Sequence, residues 1–247
     1  MRSQSVLAIV FLTISFLGLA FVTAFINLPV EISGSFYWRR SIASTLFSII
    51  CILGIIAGVF PLKCSGIFHF RRVTKGTGVQ RPAEETTKNL SSMRGHHPDC
   101  GNFDTHLFII RNRAFCAGCT GLILGAFLSL LGIVIWIFIE SSFFKRPLPL
   151  FIVGFIGVSC GLLQYQLLGF AKGIGHLAVN LFFVVSAFFL LVGVDGLTQN
   201  INADLFLVSL SIFWIFTRIK LSQQSHHRIC TDCGWEECNF AEENKEV

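Results

Sequence analysis

The stretch Cys116-Ala-Gly-Cys119-Thr-Gly121-Leu-Ile-Leu-Gly125-Ala-Phe-Leu-Ser-Leu-Leu-Gly132-Ile-Val-Ile-Trp136-Ile-Phe-Ile139 decides the fold class. It holds no charged residue and exceeds the roughly 20 residues with which an α-helix crosses the hydrocarbon of a bilayer. It also opens on a Cys-x-x-Cys pair. A membrane span and a motif of soft metal ligands therefore begin at the same residue.

Working outward, the same character recurs in Val6–Leu28, Ile42–Leu62, Leu148–Gly169, His176–Val194 and Ala203–Thr217, the last extending to about Leu221. The expected fold is all-α: a polytopic bundle of about six transmembrane helices with a small cytoplasmic Cys/His-rich cap. Composition agrees, with 53% apolar and 13% charged residues and 27 phenylalanines in 247 positions. A soluble domain carries about twice that charge fraction. The apolar part of Val6–Leu28 is longer than a secretory leader's core and lacks a small-residue cleavage site, so it reads as a retained span.

Orientation follows from the basic residues. All but four of the 19 Lys and Arg fall at the N-terminus, in the loop from Lys63 to Arg113, at Lys172, or from Arg218 onward. The four exceptions are Arg39, Arg40, Lys145 and Arg146, and the Asp195–Asp204 loop on their side has none. The positive-inside rule then places the protein in the cell membrane with both termini cytoplasmic. The chain divides into 1–62 with two spans, 63–115 as a basic cytoplasmic loop, 116–221 with four spans, and 222–247 as a cytoplasmic tail. Thr74–Arg94 is polar and aperiodic, a flexible connector. His96–Phe115 regains apolar mass and reads as a small ordered cap. Net charge is only +5, and no nucleic-acid partner is expected.

Six of the nine cysteines crowd into two windows. The first window holds His96, His97, Cys100, His106, Cys116 and Cys119. The second holds His226, His227, Cys230, Cys233 and Cys238. Four spans separate them, so both windows belong to one membrane face. Cytoplasmic thiols stay reduced, which favours metal binding or redox chemistry over structural disulfides. Zinc takes four tetrahedral Cys and His ligands, and a Cys-x-x-Cys pair grips one ion from a single turn. Gly234 after Cys233 suits such a turn. One or two zinc ions are expected, with an iron–sulfur cluster a lesser alternative because it leaves the histidines idle. Asp99 and Asp104 are candidate acceptors behind ligating histidines or simply solvated acids. Cys116 and Cys119 also sit at a helix N-terminus, where a thiol pair can run disulfide exchange.

Inside the spans, Gln164, Tyr165, Gln166, His176 and Asn180 are polar, and interhelical hydrogen bonding is the expected use. No span carries an acid near its centre, which argues against a proton- or cation-coupled transporter. Gly121-x-x-x-Gly125 and Gly157-x-x-x-Gly161 let helices approach closely; they are expected to pack spans three and four, with homodimerisation the alternative. Cys51 and Cys160 read as packing residues, Cys64 as a candidate for acylation, and Arg71, Arg72 and Lys75 as contacts to anionic headgroups.

Phe115-Cys116-Ala117-Gly118-Cys119-Thr120-Gly121, with the Phe103 region before it and a glycine-punctuated span after it, resembles an uncharacterised family of small polytopic prokaryotic membrane proteins. These carry Cys-Ala-x-Cys-Thr-Gly at the start of a transmembrane helix. Family members often have Arg where this chain has Gly118, and the C-terminal cysteines are not general among them. The resemblance implies topology and a ligand-like motif, and no activity.

The leading expectation is non-enzymatic: zinc staples the long loop to the tail and fixes the cytoplasmic face for a protein partner or a regulatory role. The alternatives are a membrane thiol oxidoreductase using the two Cys-x-x-Cys pairs, and a metal transporter with a cytoplasmic sensing cluster.

Overall fold

The computed structural model describes residues 2–27, 38–60, 107–110, 113–139, 143–167 and 173–232. In lipid, a backbone must satisfy its own hydrogen bonds, so continuous apolar sequence folds as helix. The elements run α1 (Arg2–Asn27), α2 (Arg39–Val59), β1 (Leu107–Ile110), β2 (Arg113–Cys116), α3 (Ala117–Phe138), α4 (Pro147–Leu167), α5 (Ile174–Thr198) and α6 (Ile201–Asp232). Each of the six helices is long and apolar enough to span a bilayer, and the protein is a multi-pass membrane helix bundle. Large apolar side chains such as Leu17, Leu53, Phe127 and Ile156 stand exposed on the outer faces. Water would not tolerate so much apolar surface, whereas lipid tails cover it.

Helix α5 is the axis of the bundle. Over half of its apolar window (56%) is buried, against 22% for α2. α3, α4 and α6 pack on it, α1 packs mainly on α6, and α2 on α3. Lipid supplies no hydrophobic drive between helices, so close backbone approach and dispersion hold them. Gly154 and Gly193 allow that approach between α4 and α5. A Cβ on Gly154 would stand 2.5 Å from Leu190 N, and one on Gly193 would stand 2.6 Å from Phe151 N. The two glycine seams expected to pack spans three and four serve a different contact. Gly121 and Gly125 of α3 seat on Leu177 and Leu181 of α5, while Gly157 and Gly161 of α4 seat on Ser186 and Phe183 of the same helix. Small-residue spacing marks a close approach without naming the partner, and here α5 takes both.

Aromatic rings fill what the glycines leave. Phe188 is buried among Phe47, Phe144 and Trp136, with ring centroids 6.4, 6.1 and 6.4 Å away. Phe11 of α1 stacks on Phe213 of α6 at 5.3 Å. Cys51 is buried as a packing residue, but Cys160 is exposed on the outer face of α4, so the packing role expected for it does not hold.

Two departures from the sequence reading shape the functional end. The part of the expected cap that is described, 107–110 and 113–116, is an antiparallel hairpin pairing Leu107 with Cys116 and Ile110 with Arg113. Phe108, Ile109, Ile110 and Phe115 supply the aromatic and β-branched residues that strands favour. The sixth helix does not end near Leu221 but continues to Asp232. Gln223, Gln224 and Arg228 are good helix formers, and no Gly or Pro interrupts the chain before Gly234.

Candidate functional site

Cys116 closes β2 with extended backbone (φ −70°, ψ 117°), and its successor opens α3. Cys119 follows in the first helical turn. This strand-to-helix joint brings the two side chains together: Cys116 and Cys119 hydrogen-bond to one another, with no disulfide between them. Cys116 is buried and Cys119 half-buried. Thr120 Oγ1 donates to Cys116 O at 2.9 Å, tying the first turn of α3 back to the strand. Two residues after Cys119, Gly121 faces the start of α5. A Cβ on Gly121 would collide with Leu177 O and stand 2.9 Å from Asn180 Cβ. The space beside Gly118 is bordered by Asn180 Nδ2 and Cys116 Sγ, each 4.0 Å from the position of a Cβ.

That turn of α5 belongs to a buried polar network centred on Arg218 of α6. Arg218 donates through Nη1 to Gly161 O at 2.5 Å, and through Nη2 to Gln164 Oε1 at 2.7 Å and to Asn180 Oδ1. Its guanidinium lies over the Phe183 ring, 4.5 Å from the centroid. Gln164 Nε2 meets His176 Nδ1 at 2.7 Å, and Asn180 Nδ2 donates to His176 O at 2.5 Å. Gln164, His176 and Asn180 thus join α4, α5 and α6, the interhelical use expected of them. Arg218 is the surprise. The charge count placed it on a solvated tail, yet it is only 7% exposed. A signal was present: Asp204, Leu207, Ser211, Trp214, Arg218 and Leu221 recur at helical spacing of three and four, and all are buried. Arg218 continues the inward face of α6.

The opposite end of the bundle carries a second charged cluster. Asp195 closes α5 and Asp204 opens α6, both fully buried. Arg39 Nε bonds Asp195 Oδ1 at 2.7 Å and lies 3.5 Å from Asp204 Oδ2, while Arg40 Nε bonds Asp195 Oδ2 at 3.0 Å. Arg40 also stacks over Trp136, 5.8 Å from its ring centroid. Between the helices Gln199 adopts the left-handed conformation (φ 49°), and Asn200 Oδ1 accepts from Asn202 N to cap α6. Arg39, Arg40 and the 195–204 turn share one end, away from the cysteine pair. The sequence reading assigned them to one side without pairing them.

Of the candidate ligands, Cys116 and Cys119 are brought together. His226, His227 and Cys230 lie in the helical backbone of α6 rather than in a loop. The residues from Arg218 to Cys230 rise about 18 Å along that helix. Arg218 bonds Asn180 near the start of α5, so the backbone of Cys230 is offset from that level along the axis. His96, His97, Cys100, His106, Cys233 and Cys238 lie outside the described residues. Among the described residues, no three His, Cys, Asp or Glu side chains converge in a metal-holding group. No protein-family model, curated protein or solved structure matches this chain.

Proposed function

We propose that this is a cell-membrane protein, with both termini cytoplasmic, that uses Cys116 and Cys119 as two thiolate ligands of a structural or regulatory zinc site. The observation that carries the reading is the side-by-side Cys116–Cys119 pair at the joint of β2 and α3. His106 directly precedes β1 in sequence, and Leu107 of β1 pairs with Cys116, which makes His106 the first candidate for a third ligand. His96, His97 and Cys100 are the further candidates from the same window. Tetrahedral Cys/His coordination of zinc is the chemistry this donor set suits. The axial offset of Cys230 favours a separate ligand set, with His226, His227, Cys230, Cys233 and Cys238 holding a second ion. Metal binding would secure the long basic loop to the bundle and present a fixed cytoplasmic face to a protein partner.

Metal analysis and thiol counting on the purified full-length protein test this. The expected result is at least one zinc per chain, with Cys116 and Cys119 alkylated only after chelation. Cys119→Ser should remove one equivalent of zinc, and His106→Ala should weaken binding at least about tenfold. A second reading rests on the side-by-side sulfurs at the start of α3, an arrangement that also suits thiol–disulfide exchange. Metal-free protein that forms a reversible Cys116–Cys119 disulfide would favour that reading and overturn the first.

A further inference from the structure

One cation fixes every ambiguous orientation in the Arg218 network. A guanidinium can only donate, so the atom of Gln164 facing Arg218 Nη2 at 2.7 Å is the amide oxygen. The amide nitrogen then faces His176 Nδ1 at 2.7 Å. An amide NH₂ also only donates, so Nδ1 must accept, and the ring proton of the neutral imidazole sits on Nε2. The same argument orients Asn180: its oxygen accepts from Arg218, and its nitrogen donates to His176 O. Both arms leave one guanidinium nitrogen and end on one histidine. Amide orientation and histidine tautomer are normally inferred from the surrounding network; here a donor with no acceptor capacity determines them.

The turn held this way is the surface against which Gly121, two residues after Cys119, is seated. Cys116 belongs to β2 and Cys119 to α3, so the angle at the strand-to-helix joint sets the distance between their sulfurs. Leu177 and Asn180 brace the start of α3 through Gly121. A ligand constellation loses function when its supporting shell lets it drift by about 0.5 Å.

We propose that Arg218 is a positioning residue for the Cys116–Cys119 pair, acting through Gln164, Asn180 and a His176 fixed in its Nε2–H tautomer to hold the first turn of α5 against the start of α3. This rests on the reading of the pair as metal ligands. The guanidinium spans three acceptors on two helices, which one ammonium group cannot meet in the same geometry.

The test uses the full-length protein in nanodiscs, with Co²⁺ as the probe. Its thiolate charge-transfer band reports on the cysteine pair, and ¹⁵N NMR of labelled histidine reports on the tautomer. Wild-type His176 should show an unprotonated Nδ1. Gln164→Glu, which still accepts from Arg218 but offers an acceptor to Nδ1, should move the proton onto Nδ1. Arg218→Met and Asn180→Leu should weaken Co²⁺ binding at the pair at least tenfold at temperatures where each variant remains folded. Asn180→Asp, which keeps the acceptor for Arg218, should stay closer to wild type. Unchanged affinity in a folded Arg218→Met or Asn180→Leu protein, or a protonated Nδ1 in wild type, overturns the proposal. If wild type shows no thiolate band, the metal reading fails and the alkylation rate of Cys119 becomes the readout. A change of at least tenfold in Arg218→Met then supports positioning, and an equal rate overturns it.

Discussion

Replacing Asp195 with alanine is expected to lower the unfolding free energy by about 3–5 kcal/mol, the cost of stripping a buried charge of its partner. Asp195 is buried at the end of α5, and each of its oxygens receives one arginine, Arg39 at 2.7 Å and Arg40 at 3.0 Å. The two arginines are unequal. The Arg39 side chain is 14% exposed and the Arg40 side chain 57%. Without Asp195, Arg39 retains only the longer 3.5 Å contact to Asp204 and little water. Arg39→Ala should therefore fall in the same range as Asp195→Ala. Arg40→Ala should cost about 1 kcal/mol or less, because a half-solvated ion pair contributes little. The Asp195→Ala/Arg39→Ala double variant should lose less than the sum of the singles, since the second change removes the charge that the first stranded. Equilibrium unfolding in mixed micelles gives all four values. Equal losses from Arg39→Ala and Arg40→Ala would show that burial does not govern this cluster.

Gly154→Leu should be at least as damaging, at about 3 kcal/mol or more, and little folded protein is expected to accumulate. A Cβ at this position would lie 2.5 Å from Leu190 N, 2.8 Å from Leu190 Cα and 2.8 Å from Ser186 O. All three are backbone atoms, so no side chain can rotate away, and α4 must separate from α5 along its length. Overpacking of cores commonly costs 1–3 kcal/mol, and a contact made of rigid backbone belongs at or above the top of that range. Gly54 provides the control, because a Cβ there meets nothing within 4 Å. Gly54→Ala should change stability by less than about 1 kcal/mol, toward stabilisation through helix propensity. Gly118→Ala, whose Cβ makes only 4.0 Å contacts, should behave like Gly54→Ala and unlike a substitution at Gly121. Comparable losses at Gly54 and Gly154 would mean that close approach to α5 does not set the packing.

The membrane architecture was legible because it depends on local composition. Cys116–Ile139 is a membrane helix whatever lies beside it, and the same holds for the other five spans. The sequence reading placed only the end of the sixth span, near Leu221, whereas the helix that carries it runs on to Asp232. The stretch apolar enough to span ends at Ser225, but a Gln- and Arg-bearing segment without glycine or proline has no reason to uncoil there. The glycine seams were recognised and assigned to the wrong partner, since a small-residue face specifies how close a neighbour comes and is silent on which helix it is.

At the candidate site, the sequence singled out Cys116 and Cys119 by their spacing, and the structure sets them side by side. It also flagged Gln164, His176 and Asn180 as polar groups needing partners. It missed the residue that organises them. Arg218 was counted with the loop and tail charges from which an orientation was read, although its place on the Leu207–Trp214–Leu221 stripe pointed inward. Asp195 and Asp204 read as a short polar turn, and nothing in their spacing connects them to Arg39, more than 150 positions earlier (|i−j| = 156 for Asp195).

The residues by themselves determined that this protein is a helical membrane bundle and that most of its cysteines and histidines crowd into two short windows flanking the last four spans, because hydropathy and covalent spacing are properties of short stretches of chain. Only the tertiary structure decided that α5 is the axis, that Arg218 braces the start of α3 through Asn180, and that two buried acids are held by α2. Those outcomes turn on which backbone comes within a few ångströms of which. A charge's partner, and whether it is solvated or enclosed, is set by that proximity and not by its neighbours in sequence.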